Sequence, residues 1–298
     1  MTDPDPKTHT DSKPAGGDRV LRAITDDGAF RVITVESSRT VRAAIEAQRP
    51  QGDLALLFAD LITGSILVRE TMSPDQRVQI ILQAEDHTSR MVADSNPDVS
   101  PWTRGLVQLA PKASTFDLGA EARLQVARRL YNGSLHQGVV AVPASGGISG
   151  ALMSYMQTSE QVVSMIAVGT YGQGDAMCAG GYIVQLLPDV GEGPLMVMTE
   201  RLKDFASMTP LLEKRMAEPR ALLSELLYGM PYTEVGESGH GFGCNCSEER
   251  ILFGLSTLPR TDVQHLSEQG EVLEIACDYC RRQYKIAPAK LRGLLEQN

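Results

Sequence analysis

Aromatic side chains are scarce in this chain: they make up 5% of its 298 residues, and Trp102 is the single tryptophan. No stripe of aromatics interleaves with basic residues, so the stacking platform of a single-stranded nucleic-acid binder is missing. Positive charge is also in deficit. The 28 Lys and Arg against 37 Asp and Glu give a net charge of -9, which argues against bulk electrostatic binding to nucleic acid or an anionic membrane. Long hydrophobic runs are lacking too. The longest apolar stretch, Leu54 to Val68, contains Asp60, Thr63, Gly64 and Ser65. It is too short to span a bilayer and is expected to form a buried helix. Met1 to Asp18 has no apolar signal core. Rich in Asp, Thr, Lys and Pro, it reads as a disordered tail. A chain without an export signal is expected in the cytoplasm, where thiols stay reduced.

Catalytic signatures are missing as well. Neither the run Gly169 to Gly174 nor the cluster Gly146, Gly147 and Gly150 has phosphate-loop spacing, so both read as turns between strands. No Ser/His/Asp order stands out. His87, His136 and His265 lack ligand spacing, and His240, four residues before Cys244, reads as a solvated loop histidine. The chain is therefore not expected to be an enzyme.

Cysteine is rare but concentrated. Four of the five cysteines lie in the last 55 residues, as the C-x-C pair Cys244 and Cys246 and the C-x-x-C pair Cys277 and Cys280, with 30 residues between the pairs. Two short-spaced pairs joined by a loop can supply four thiolates to a tetrahedral Zn2+ ion. The C-x-x-C half is a strong ligand signal, whereas C-x-C is unusual for a static zinc site. Thiols this close in sequence can also pair with each other, so the residues alone allow a metal site, a redox pair, or both in turn. A static structural zinc ribbon that binds nucleic acid is the competing reading. Arg281, Arg282, Lys285, Lys290 and Arg292 favour it, but Glu248, Glu249, Asp262, Glu268, Glu271, Glu274, Asp278 and Glu296 offset their charge. The remaining Cys178 is expected to be a small buried apolar residue.

Strands outnumber helices without regular alternation, so an α+β fold is expected. Residues 19–195 form a strand-rich core domain. Strands are expected over Phe30 to Glu36, around Val78, Ile80 and Leu82, over Leu124 to Leu130 and Val139 to Val142 about the turn dipeptide Asn132-Gly133, and over Val162 to Val168 and Gly180 to Leu187. Helices are expected over Thr40 to Gln48, Asp53 to Val68 and Met153 to Gln161. Residues 196–243 read as a helical linker. Thr209-Pro210 opens one helix, and Pro219 to Tyr228 forms a second, with Leu222, Leu223, Leu226 and Leu227 on one face and Gly229 at its end. Gly236, Gly239, Gly241 and Gly243 mark a flexible approach to the cysteines. Met196, Met198, Met208, Met216 and Met230 make the segment methionine-rich. In residues 244–298, Ser247 caps a helix carrying Ile251, Leu252, Leu255 and Leu258, and a second short helix carries Val263 and Leu266. Cys277 and Cys280 then sit at a hairpin knuckle, followed by a closing helix. So small a unit has little core of its own, and bound metal is expected to supply much of its folding free energy.

The strings Cys244-Asn-Cys246-Ser247-Glu248-Glu249-Arg250 and Cys277-Asp278-Tyr279-Cys280, followed by Tyr284, resemble the redox-regulated thirty-three-kilodalton heat-shock chaperones of bacteria. Weaker matching strings are Arg104-Gly105, Gln137 to Val140, Ser159 to Gln161 and Gly180 to Pro188. They keep the family's order, so the resemblance spans nearly the whole chain after the tail. It departs in the tail itself and between Asp18 and Pro50, and Cys178 has no counterpart in the family motif. The resemblance implies an ATP-independent holdase whose clients are unfolded or aggregation-prone proteins. Reduced, it would be inactive, with Zn2+ held by Cys244, Cys246, Cys277 and Cys280. Oxidised, it would be an active homodimer with Cys244–Cys246 and Cys277–Cys280 disulfides, an empty metal site and an unfolded linker.

Overall fold

The computed structural model describes residues 17–97, 100–130, 132–188, 190–214 and 217–296. The tail before residue 17 and Met216 lie outside them. Asp18, which the sequence reading puts in the tail, instead begins the first strand. It is buried, and its carboxylate accepts the backbone N–H groups of Arg39 and Thr40 at 3.0 and 2.6 Å.

The chain opens with β1 (Asp18–Thr25) and β2 (Phe30–Glu36), then α1 (Ser38–Gln48) and α2 (Asp53–Thr71). Five strands follow: β3 (Val78–Gln83), β4 (Arg90–Asn96), β5 (Trp102–Gln108), β6 (Arg123–Arg129) and β7 (Leu135–Ala141). After α3 (Gly147–Thr158) come β8 (Ser164–Tyr171), a 3-10 turn at Gly174–Ala176 and β9 (Cys178–Leu186). The segment read as a linker contains α4 (Glu192–Asp204), α5 (Thr209–Glu213), α6 (Pro219–Leu226) and β10 (Tyr232–Phe242). The last part holds α7 (Glu248–Ser256), α8 (Arg260–Glu268), β11 (Leu273–Ala276), β12 (Gln283–Ile286) and α9 (Pro288–Glu296). The α+β class is as expected.

Ten strands form one sheet in the order β7-β6-β3-β4-β5-β10-β1-β2-β9-β8, and β11 pairs with β12 separately. Every pairing in the large sheet is antiparallel except the short parallel contact of β10 with β5. Period-2 alternation divides the side chains of β1, β2, β8 and β9 between two cores. Val20, Ile33, Val35, Ile166 and Ile183 face the core built around α2 and α3. Leu21, Phe30, Val32, Ala167, Tyr182 and Val184 face a second core, closed by Met198, Met208, Leu211, Leu212, Leu222, Leu223, Leu226 and Leu227 from α4–α6 and their connections. Strand β3, covered on one side, alternates buried and half-buried residues. Helix α2 is buried without a break from Leu61 to Glu70, which explains a run that is apolar nearly all round. At Gly105 a Cβ would stand 2.7 Å from the Phe58 ring, so only glycine lets β5 lie this close to α2.

Three expectations are corrected. The glycines before the cysteines do not form a flexible approach: Gly236, Gly239 and Gly241 lie within β10. Pairing overrides weak β-propensity there, because without β10 both β1 and β5 would present unpaired edges. His240 is not a solvated loop residue but a buried member of β10, with its Nε2 2.7 Å from Thr103 Oγ1. Burial, with Arg69 and Arg22 nearby, lowers its pKa to about 3. Gly146, Gly147 and Gly150 do not link strands. Gly146 adopts a left-handed φ of 99° before α3, while Gly147 and Gly150 lie in its first turn.

Candidate metal centre

The C-x-C pair leaves the end of β10. Gly243 donates its N–H to Thr103 O at 3.2 Å, and a Cβ at this position would stand 2.8 Å from Trp102 Cβ and Cγ. Ser247 then accepts the Arg250 N–H at 3.3 Å and caps α7, as its sequence position predicts. The C-x-x-C pair occupies the turn between β11 and β12, whose register sets Ile275 against Tyr284. Two backbone bonds close this turn: Arg281 N to Cys277 O at 2.8 Å and Cys277 N to Arg282 O at 2.9 Å. Arg281 takes the left-handed φ of 57° that the knuckle requires.

These two turns bring the four sulfurs within 4.8 Å of one another. Cys244 Sγ lies 3.8 Å from Cys277 Sγ, and Cys246 Sγ lies 3.4 Å from Cys280 Sγ. A tetrahedral four-thiolate shell with metal–sulfur bonds of about 2.3 Å has sulfur–sulfur edges of about 3.8 Å. The cluster therefore fits a metal ion, and its soft sulfur donors suit zinc.

The thiols are not equivalent. Burial acts to raise the Cys246 pKa, but hydrogen bonds from Tyr284 and the other cysteines outweigh it and bring it down to about 7. Tyr284 Oη donates to Cys246 Sγ at 3.1 Å. Cys280 is pushed up to about 12 by burial, reinforced by its hydrogen bonds to the other cysteines. Burial also raises Cys277. Cys246 is thus more readily present than Cys277 or Cys280 as thiolate, the form that both binds metal and reacts with oxidants.

Residues of the large sheet touch the cluster directly. Arg104, on β5 and 8% exposed, donates from Nη1 to Cys244 Sγ at 3.2 Å and to Asn245 Oδ1 at 3.0 Å. Its Nε donates to the fully buried Asp94 at 2.9 Å, and its guanidinium carbon lies 4.0 Å from the Tyr279 ring centroid. Gln48, the last residue of α1, donates from Nε2 to Asp278 O and Tyr279 O, both at 2.7 Å. These contacts come from residues distant in sequence. In sequence, Arg104 stands out only as part of a family-like string, with no role attached. Nothing in the sequence marks Gln48 or Asp94.

The other candidates lie apart from the centre. Cys178 begins β9, half-exposed rather than buried, because the strand starts at the sheet margin after the 3-10 turn. His87 occupies a left-handed turn position, and His265 lies on α8 beside Gln269.

Comparison with known proteins accounts for this arrangement. The family model described as Hsp33 protein matches residues 18–287. A 33 kDa chaperonin of Syntrophotalea carbinolica is 27% identical over 289 residues, covering 93% of this chain and 99% of that protein. One from Lactococcus lactis subsp. lactis is 28% identical over 291 residues, covering 94% and 100%. The crystal structure of the 33 kDa chaperonin from Thermotoga maritima superposes with a TM-score of 0.78 at 22% identity, covering 94% of this chain and 98% of that one. With a family match that includes both the double-faced sheet and all four clustered cysteines, the chain belongs to the Hsp33 family of heat-shock chaperones.

Proposed function

We propose that this protein is an ATP-independent holdase, held inactive by zinc-bound thiolates and switched on by oxidation. One observation carries the reading. Among the described residues from 244 onward, Val263, Ile286 and Leu291 are the buried apolar side chains. A unit with so small a core depends on whatever holds its four sulfurs together. Zinc bound by Cys244, Cys246, Cys277 and Cys280 would supply a closed tetrahedral template for that purpose.

Peroxide is the oxidant class that fits thiolate chemistry. A thiolate attacks one peroxide oxygen and becomes a sulfenic acid, and the other oxygen leaves as water. A neighbouring thiol then condenses with the sulfenic acid, forming a disulfide and a second water. Each disulfide takes two electrons from its cysteine pair. Cys244–Cys246 and Cys277–Cys280 are the proposed pairs, being neighbours in sequence. Sulfurs bonded in this way no longer ligate as thiolates, and the unit unfolds.

The consequence for the large sheet follows from its second core. With residues 244–298 unfolded, β10, which ties the end of the 196–243 linker to β1 and β5, loses the cluster docked beyond its C-terminal end, and the linker is loosened from there. Release of α4–α6 bares Leu21, Phe30, Val32, Tyr182 and Val184, a contiguous apolar face suited to unfolded clients. The oxidised protein works as a homodimer in the cytoplasm. We expect no nucleic-acid partner: Lys285 and Lys290 pair with Glu274 and Glu248, and the chain carries a net charge of -9. No helix of the described residues is long and apolar enough to cross a membrane.

Zinc and free-thiol content measured before and after peroxide test the reading. The expected result is one zinc per chain beforehand, then zinc release together with loss of the four thiols. Zinc retained by protein whose pairs have oxidised would contradict it and favour a static structural site.

A further inference from the structure

Outside the four sulfurs, the Arg104 guanidinium joins the large sheet to both cysteine turns. It has one foot in the large sheet, through buried Asp94. Arg77 also grips Asp94, at 2.5 and 2.8 Å, so the carboxylate is fixed from two sides. The other side of Arg104 meets both cysteine turns at once. Its Nη1 reaches Cys244 Sγ and Asn245 Oδ1 in the C-x-C, and its plane lies against Tyr279 inside the C-x-x-C. Gln48 adds a second arm. Its amide nitrogen holds the carbonyls of Asp278 and Tyr279, while its amide oxygen accepts Val107 N–H at 3.2 Å and Arg281 Nη2 at 3.3 Å.

From this juxtaposition we infer that Arg104, assisted by Gln48, is a positioning residue that docks the cysteine cluster onto the sheet and makes docking depend on the charge of Cys244 sulfur. The inference rests on the functional reading above and deepens it. A hydrogen bond from a guanidinium to a thiolate joins two ions, and such bonds are roughly twice as strong as neutral ones. A disulfide sulfur is neutral and a poor acceptor. With Cys244 holding zinc as a thiolate, its oxidation removes the anion facing Arg104 and leaves that face of a largely buried cation with only the neutral Asn245 Oδ1 and the Tyr279 ring. Asp94 and Arg77 hold the guanidinium where it is, so it cannot follow the departing turn. The same oxidation that dismantles the cluster thus also releases it from the sheet. Neutral docking contacts alone would leave an oxidised turn still attached to β5.

Arg104→Met removes the cation while keeping much of the side-chain bulk. Reduced wild-type and variant proteins are compared by amide hydrogen exchange at residues 277–281 and by the rate of zinc transfer to a chromogenic chelator. We expect exchange at the knuckle to rise about tenfold or more, and zinc transfer to quicken about tenfold, the lower end of what loss of a partner to a metal ligand causes. Arg104→Lys, which keeps the charge but not the planar fork, should fall between. Unchanged knuckle exchange in a folded Arg104→Met protein overturns the inference. Gln48→Ala, at the surface end of α1, carries the same exchange measurement if Arg104→Met fails to fold. It should raise knuckle exchange too, and no change there would likewise overturn it. Wild-type protein lacking zinc would refute the functional reading, while the exchange comparison still decides whether Arg104 docks the knuckle.

Discussion

At the residue scale, charge and close contact decide what the centre can do. Gly243 shows how little room there is: any side chain would meet Trp102 at 2.8 Å, just before Cys244. Gly243→Ala should push the C-x-C turn off β5. Chelator-driven zinc release from the reduced variant should be faster than wild type, and an unchanged rate would remove Gly243 from the docking account. Asp60 is a separate case, on α2 beside β8. Burial raises its pKa to about 6, even though Thr170 Oγ1 donates to it at 2.8 Å. The folded state holds this proton more tightly than the unfolded chain does. The carboxyl therefore costs little below pH 3.8, and progressively more as pH rises through 6. Asp60→Asn keeps the acceptor oxygen and removes the charge, so it should stabilise the protein. The gain should grow by about 1 kcal/mol between pH 5 and pH 7. Denaturation curves at the two pH values measure it, and a gain independent of pH would contradict the assignment.

At the scale of elements, α6 closes the second core. Leu222 and Leu226 are fully buried against the sheet. Truncating a buried leucine typically costs about 2–5 kcal/mol. Leu222→Ala with Leu226→Ala should therefore loosen the linker in the reduced state and raise basal anti-aggregation activity. Activity equal to that of reduced wild type would reject the idea that α4–α6 mask the client face. This helix was legible in sequence because Pro219, the leucine spacing and Gly229 all report local preferences. So was the hairpin β6–β7 about Asn132-Gly133, and so was α2 as a buried helix. Strands β1, β4, β5 and β10 were not legible. β10 carries Gly236, Gly239 and Gly241, and its pattern of polar and small residues has no strand period. Its structure comes from partners more than 200 residues away on β1, as in the pairing of Arg19 with Gly239. The cysteine cluster was readable from spacing alone, whereas Arg104, Asp94 and Gln48 were not, because only the folded sheet sets them beside it.

For the whole molecule, the fold reads as one sheet with two differently secured faces. The face toward α2 is sealed by an unbroken buried helix. The other is covered by the short helices α4–α6, which lead into β10 and, beyond it, into a unit with three buried apolar side chains among its described residues and a four-sulfur cluster. Oxidation should therefore leave the first core intact and open the second. Limited proteolysis should cut residues 196–243 in oxidised protein and spare them in reduced protein, and identical cleavage patterns would contradict that ordering. The most direct test is light scattering from a thermally unfolding client, without nucleotide, in the presence of reduced or peroxide-treated protein of measured zinc content. The account predicts that zinc-free oxidised protein suppresses aggregation, that reduced zinc-bound protein does not, and that a thiol reductant supplied with zinc reverses the change. Equal suppression by both forms, in oxidised protein shown to have lost its zinc, would contradict it.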